Sequence, residues 1–113
     1  MLLAGDIGGT KTTLAIIAPD AGMRHPLAQA TFASQAYASL TQLAGEFLRQ
    51  TGYRVDSACF GVAGPVVAGR ASVTNLPWEV EAVELSRSLG IATVHLINDL
   101  QAIATAIPHL EAE

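Results

Sequence analysis

The sequence predicts an α/β fold, a mixed five-stranded sheet with helices on its faces. Three strand-like runs come first and can pair as antiparallel neighbours, and helical and strand patterns alternate after them. The resulting order is β-β-β-α-β-α-β-α, and 113 residues leave room for one domain. Ligands gather at the carboxyl ends of the strands in such sheets, so the loops there are the places to look for function.

Strands are predicted where β-branched and apolar residues form short runs bounded by turn residues. The turn before the third strand lies around residues 19–22, and the fourth strand, rich in small residues, ends at Gly64-Pro65. The predicted strands comprise residues 2–4, 13–18, 27–33, 55–63 and 93–97.

Helices are predicted where apolar side chains recur at helical spacing and a glycine or proline follows. Between residues 66 and 78 the sequence predicts a loop-rich passage instead. The predicted helices comprise residues 36–51 ended by Gly52, residues 81–89 ended by Gly90, and residues 100–107 closed by Pro108.

Composition limits the classes of function. An apolar content of 50% is high and a charged content of 14% is low for a small domain, which indicates an unusually apolar core or a face that packs against something outside the chain. The net charge of −4 gives no reason to expect nucleic-acid binding. No apolar run approaches the ~20 residues of a membrane span, and no signal peptide is visible, so a cytoplasmic location is expected. The single Cys59 predicts a buried thiol in a reducing compartment.

The loop over residues 5–12, with the sequence GDIGGTKT, carries the strongest functional signal. Adjacent glycines followed by hydroxyl residues let backbone N–H groups approach an anion closely, because no Cβ stands in the way. The preceding Asp6 suits the cation that accompanies a phosphate, so the loop indicates a nucleoside triphosphate with its Mg²⁺. The spacing is neither a Walker A loop nor a dinucleotide fingerprint. The alternative is a glycine-rich hairpin that binds nothing.

Asn98-Asp99 follows the predicted strand 93–97 and precedes a predicted helix. In the functional interpretation, Asn98 binds a polyhydroxylated substrate and Asp99 takes a proton from an attacking hydroxyl. The alternative is that these residues only cap the helix. Residues 74–78 are likewise either a plain turn or part of the site, and Trp78 is either a core residue or a platform for a sugar.

The loops of residues 6–12, residues 61–65 and Asn98-Asp99 all follow predicted strands and are expected to face one cleft. The motifs in register are Asp6-Ile7-Gly8-Gly9-Thr10, Gly61-Val62-Ala63-Gly64-Pro65, Thr74-Asn75-Leu76-Pro77-Trp78 and Ile97-Asn98-Asp99-Leu100-Gln101-Ala102. In this order and spacing, they resemble the N-terminal part of bacterial glucokinases, sugar kinases of the hexokinase, actin and Hsp70 superfamily. The resemblance covers essentially the whole chain.

The resemblance implies the smaller, ribonuclease-H-like lobe of the actin-like ATPase fold. It also implies a glycolytic reaction that moves the γ-phosphate of ATP, bound with Mg²⁺, to the 6-hydroxyl of glucose. The site residues that it implies are Asp6 for Mg²⁺ through water, Gly8, Gly9 and Thr10 for the phosphates, Asn98 for glucose, Asp99 as catalytic base, and Gly64 and Pro65 for the floor of the sugar pocket.

Members of that family are considerably longer, and their second lobe carries the adenosine pocket and further sugar ligands. Residues 1–113 are therefore expected to form the N-terminal lobe of a two-lobe kinase, inactive alone and able to self-associate through the face that meets the second lobe. Two alternatives stay open. One is a sugar-sensing regulatory protein, and the other is a non-catalytic interaction module that pairs with another chain.

Overall fold

The computed structural model describes residues 1–18, 26–73 and 76–97 of the chain. Its strands are β1 (Leu2–Ile7), β2 (Lys11–Ile17), β3 (Ala28–Ala33), β4 (Ser57–Val62), β5 (Val66–Val67), β6 (Arg70–Ser72), β7 (Glu79–Glu81) and β8 (Thr93–Ile97). The larger sheet has the order β3-β2-β1-β4-β8. The pairs β1–β2 and β2–β3 are antiparallel, whereas β1–β4 and β4–β8 are parallel. The predicted mixed five-stranded sheet is confirmed.

In the described ranges, α1 (Leu40–Thr51) lies between β3 and β4, α2 (Ala82–Leu89) lies between β7 and β8, and a 3₁₀ turn covers Ser34–Ala36. The predicted start of α1 at residue 36 is wrong by four residues. The Ser39 hydroxyl accepts the N–H of Gln42 at 3.1 Å and thereby caps the helix where it begins. Tyr37 continues the apolar spacing ahead of α1, but it lies in extended backbone and packs on the core from there.

Both predicted helix stops in the described ranges are confirmed. Gly52 and Gly90 have φ of 75° and 69°, the left-handed region that a side chain disfavours. Their N–H groups donate to the carbonyl oxygens of Leu48 and Ser86. Each glycine therefore ends its helix by turning the chain while satisfying a terminal carbonyl.

The main core lies between α1, α2 and one face of the larger sheet. Trp78 belongs to this core, because it is 2% exposed and its indole N–H donates to the Tyr37 carbonyl oxygen at 3.0 Å. The sheet and helix residues that fill the core include Leu3, Ile7, Leu14, Ile16, Ala58, Phe60, Val62, Leu43, Phe47 and Leu85. The prediction of a buried Cys59 is wrong: its side chain is half-buried and lies outside this cluster, and partial burial raises the pKa of the thiol.

The loop-rich passage predicted over residues 66–78 is wrong where β5 and β6 lie, because these strands pair with each other and, through β6, with β7 just beyond the passage. Ala68 and Gly69 both have positive φ, 53° and 75°, which gives a tight two-residue hairpin between β5 and β6. These strands have two or three residues, too few for a period-two pattern to register. The predicted turn at residues 19–22 and the predicted helix 100–107 with Pro108 lie outside the described residues. In the described ranges, the helices fall short of the length and apolarity needed to span a bilayer.

Gly5 lies in β1 with no room for a side chain. A Cβ there would lie 2.5 Å from Cδ1 of Phe60 and 2.9 Å from Cδ2 of Leu14. Because Phe60 is fully buried, its ring has nowhere to move. We expect Gly5→Ala to lower the free energy of unfolding by about 1–3 kcal/mol, the usual cost of overpacking a core.

The matched control is Gly45→Ala in α1. The added Cβ would meet Cδ2 of Leu89 at 3.6 Å, an ordinary contact. Since glycine inside a helix costs conformational entropy, this change should raise the free energy of unfolding by about 0.5–1 kcal/mol. Urea unfolding of the two variants measures both effects. If both substitutions changed the free energy of unfolding in the same direction, the conclusion that Gly5 has no room for a side chain would be wrong.

Candidate functional site

Three parallel strands of the larger sheet, β1, β4 and β8, have their carboxyl ends side by side and form a shared edge. Ile7 at the end of β1 pairs with Val62 at the end of β4, and Ile97 at the end of β8 pairs with Gly61. The Ala63 N–H also donates to the Ile7 carbonyl oxygen at 3.1 Å. The loops after β1 and β4 therefore lie side by side, and β8 ends beside β4. That all three loops face one cleft stays a prediction, because Asn98-Asp99 lies outside the described residues.

Asn98 and Asp99, which the sequence analysis assigned to substrate and proton transfer, lie outside the described residues. The structure does show where the strand that precedes them ends. β8 ends at Ile97, which lies at the shared edge through its pairing with β4. Their roles stay predictions.

The loop after β1 is a tight turn from Gly8 to Lys11, closed by the Gly8 N–H donating to the Lys11 carbonyl oxygen at 3.0 Å. The N–H groups of Gly9 and Thr10, at the tip of this turn, make no hydrogen bond to the part of the chain that the structure describes. Two adjacent backbone donors in a turn are able to hold an anion.

Gly8 contributes differently from its neighbour, because its own N–H is already bonded within the turn. A Cβ on Gly8 would lie 2.9 Å from the Lys11 carbonyl oxygen, so a side chain would open the turn. Gly8 is needed for the shape of the loop, and its N–H is not one of the donors available to an anion.

Ser34, which the sequence analysis did not single out, anchors this turn from beneath. It is fully buried, its N–H donates to the Thr10 carbonyl oxygen at 3.0 Å, and its hydroxyl donates to the Gly8 carbonyl oxygen at 2.7 Å. No sequence motif indicates this role of Ser34, because its contact with the turn depends on how β3 pairs with β2. A serine directly after a strand that pairs with the loop's exit strand is the only sequence clue.

Asp6 is exposed in β1, opposite Thr13 of β2 and Gly61 of β4. Within the described ranges, His, Cys, Asp and Glu form no group of three that could hold a metal ion. A single carboxylate suits Mg²⁺, which keeps several of its waters and is bound by one or two carboxylates together with substrate phosphates. The chemistry of the donor set therefore fits Mg²⁺ that arrives with a nucleotide.

Gly64 and Pro65 follow directly after β4. The Gly64 N–H donates to the Val62 carbonyl oxygen at 2.9 Å, so the chain turns sharply as it leaves the sheet. Pro65 is exposed and lines an open cleft of about 620 Å³ whose other walls come from the smaller sheet, including Arg70 and Glu81. Pro65 thus lies on the wall of a cleft that is formed mainly by the smaller sheet.

Comparison with known proteins gives a consistent answer. A family model described as glucokinase matches residues 3–113. The glucokinase of Nostoc punctiforme is 36% identical over 115 residues, covering all of this chain and 34% of that protein. The glucokinase of Psychromonas ingrahamii is 34% identical, covering 98% of this chain and 34% of that protein. The chain spans about a third of the length of the curated relatives it matches.

Solved structures agree with the fold. The crystal structure of a glucokinase from an Antarctic psychrotroph superposes with a TM-score of 0.80 at 34% identity, covering 96% of this chain and 35% of that one. The Lmo2764 protein of Listeria monocytogenes shares only 15% identity at a TM-score of 0.62 and supports the fold alone. These neighbours confirm the actin-like ATPase fold. The motif order, the sheet topology and the family match all agree, and this chain belongs to the glucokinase family.

Proposed function

We propose that this chain forms the N-terminal lobe of a two-lobe glucokinase, which transfers the γ-phosphate of ATP to the 6-hydroxyl of glucose. The observation that carries the proposal is the shared edge of β1, β4 and β8, with a tight turn after the first of these strands whose Gly9 and Thr10 N–H groups make no hydrogen bond to the described chain. Membership of the family supports the reaction, and coverage of about a third of each relative supports a second lobe. We place the reaction in glycolysis in the cytoplasm, and the net charge of −4 supports partners other than nucleic acid.

The turn after β1 would hold the phosphates. The N–H groups of Gly9 and Thr10 would donate to phosphate oxygens, and Gly8 would keep the turn tight enough for a close approach. Mg²⁺ would be held by Asp6 through water, and when bound it offsets the charge on the β- and γ-phosphates. Asp6 therefore acts by orienting the hydration shell of the cation.

The sugar would lie at the neighbouring loop ends. Asn98 would bind glucose hydroxyls, Asp99 would accept the proton of the 6-hydroxyl, and Gly64 and Pro65 would form the floor. The rigid sheet supports this arrangement, because residues placed directly after a strand are held more precisely than residues in a long loop. Phosphoryl transfer depends mainly on such positioning and on charge stabilisation.

The test of the phosphate side is Asp6→Asn in the full-length gene product. We expect kcat to fall by about 10–100-fold, the usual cost of losing an outer-shell partner of a metal. The KM for glucose should stay close to that of the wild type, because Asp6 is not assigned to the sugar. Steady-state kinetics at several Mg²⁺ concentrations measures both, and added Mg²⁺ should partly restore the rate.

Asp56→Asn is the matched control for that experiment. Asp56 is also an exposed carboxylate, but it lies at the opposite end of the sheet, where it pairs with the Met1 amino group at 3.1 Å. A hydrogen bond from that amino group lowers the pKa of Asp56. This variant should keep its kcat. If Asp6→Asn kept the wild-type kcat, Asp6 would not be the magnesium residue. The same would follow if the variant lost stability but its folded fraction kept the wild-type kcat.

A further inference from the structure

Ser34 makes two hydrogen bonds to the turn from Gly8 to Lys11 and one to Thr12, the residue that follows the turn. Its N–H binds the Thr10 carbonyl oxygen at 3.0 Å, and its Oγ lies 2.7 Å from the Gly8 carbonyl oxygen and 2.8 Å from Oγ1 of Thr12. Ser34 and Thr12 are both 0% exposed. A polar pair this deeply buried is costly unless it is fully hydrogen-bonded, and here each hydroxyl has a partner.

The direction of these bonds follows from the number of protons. A carbonyl oxygen only accepts, so the single hydroxyl proton of Ser34 goes to Gly8. The Thr12 hydroxyl must then donate to Ser34 Oγ. The two hydrogen bonds therefore run in one direction, with Thr12 donating to Ser34 and Ser34 donating to Gly8, and neither hydroxyl is free to rotate.

The contact with Gly8 controls a group on the other side of the same peptide unit. The Gly8 carbonyl and the Gly9 N–H belong to one planar peptide bond, which is trans, so the two groups point in opposite directions. When Ser34 holds the carbonyl inward, the Gly9 N–H is directed away from the core. By binding the Thr10 carbonyl oxygen, the Ser34 N–H fixes the orientation of the Lys11 N–H in the same way.

We propose that Ser34 is a positioning residue for nucleotide phosphate recognition, which acts by fixing the orientation of the Gly8–Gly9 peptide unit. Ser34 touches no substrate, and its effect reaches the ligand through the backbone of the turn. Thr12 supports Ser34 from behind. The inference rests on the proposed function, because it assigns the ligand of the turn to the phosphates of ATP.

The test uses Ser34→Ala in the full-length gene product. Both hydrogen bonds of the Ser34 hydroxyl are lost, and one of them holds the turn through Gly8. For the loss of that one neutral bond to the turn, we expect the KM for ATP to rise by about 2- to 12-fold, with the KM for glucose unchanged. Thr12→Val keeps the shape of the side chain and leaves the Ser34–Gly8 bond in place, so its effect on the KM for ATP should have the same direction and be smaller. If Ser34→Ala does not fold, Thr12→Val decides the question.

Thr31→Val is the matched control. The Thr31 hydroxyl pairs with that of Thr13 at 3.0 Å across the same two strands, but this pair is more exposed, and within the described chain it makes no hydrogen bond to residues 8–11. Its loss should leave the KM for ATP unchanged. A Ser34→Ala enzyme that loses stability but keeps the wild-type KM for ATP well below its Tm would overturn the proposal.

A second readout separates this proposal from the proposed function. The Gly8 N–H, which closes the turn, should exchange with solvent faster in Ser34→Ala than in Thr31→Val, and this needs no substrate. If the wild type fails to phosphorylate glucose with ATP, the proposed function is wrong, whatever exchange shows. If the wild type is active and exchange at Gly8 is the same in both variants, Ser34 does not hold the turn.

Discussion

Replacing Asp99 by Asn in the full-length enzyme is expected to lower kcat by about 10²–10⁴-fold, the usual contribution of general-base catalysis. A sugar hydroxyl is a poor nucleophile, and a carboxylate within hydrogen-bond reach both orients it and accepts its proton as the new bond forms. The position directly after β8 suits this role, because the pairing of Ile97 with Gly61 fixes where the chain leaves the sheet. Asn keeps the size of the side chain but cannot accept the proton.

The capping alternative predicts a different pattern for the same residue. If Asp99 only caps a helix, Asp99→Asn leaves kcat unchanged and Asp99→Ala lowers stability by about 1 kcal/mol. Asn98→Ala should instead raise the KM for glucose, because it removes bonds made in the ground state and the transition state alike. Measuring kcat and the thermal midpoint of the three variants together separates the interpretations, and a near-wild-type kcat in Asp99→Asn would rule out the base.

Residues 1–113 on their own are expected to show no glucose phosphorylation above background. The chain spans about a third of its curated relatives, and the proposed second lobe would supply the nucleotide's base pocket and the remaining sugar contacts. Without them neither substrate is held in line for transfer, and orientation alone is worth several orders of magnitude in rate. A coupled assay on the isolated segment, with the full-length product as positive control, measures this.

Turnover by the isolated segment that survives repurification and disappears with Asp99→Ala would contradict the two-lobe proposal. Light scattering on the same sample tests whether the segment self-associates. Such association is expected if the face that would meet the second lobe is bare.

The larger sheet could be predicted from the sequence because its signals are local. The strand at residues 93–97 has the predicted bounds, and the stops at Gly52 and Gly90 follow from a backbone conformation that glycine adopts without strain. The start of α1 could not be predicted from apolar spacing, because Tyr37 continues the spacing into an extended segment. The cap at Ser39 was the better signal.

The candidate site, like the fold, could be predicted only in part. The turn at Gly8 could be predicted from the motif, because adjacent glycines between two strands favour a hairpin. The loop was predicted to begin at residue 5, however, and Asp6 lies within β1, which continues to Ile7. The role of Ser34 could not be predicted, because it depends on pairing between strands and on a buried hydroxyl that finds its partner 26 residues away. The smaller sheet was missed because its strands are too short to show a period.

The central strand β1 has its two neighbours at very different distances along the chain, and this matters while the protein is being made. Leu2 pairs with Ile17 on one side and with Ser57 on the other. At a synthesis rate of ~5–20 residues per second, the first partner is complete about 2–9 s before the second. During that interval the β1–β2–β3 meander has an open edge at β1, the kind of edge that pairs with other chains. The edge is closed only when β4 has been made and pairs with β1.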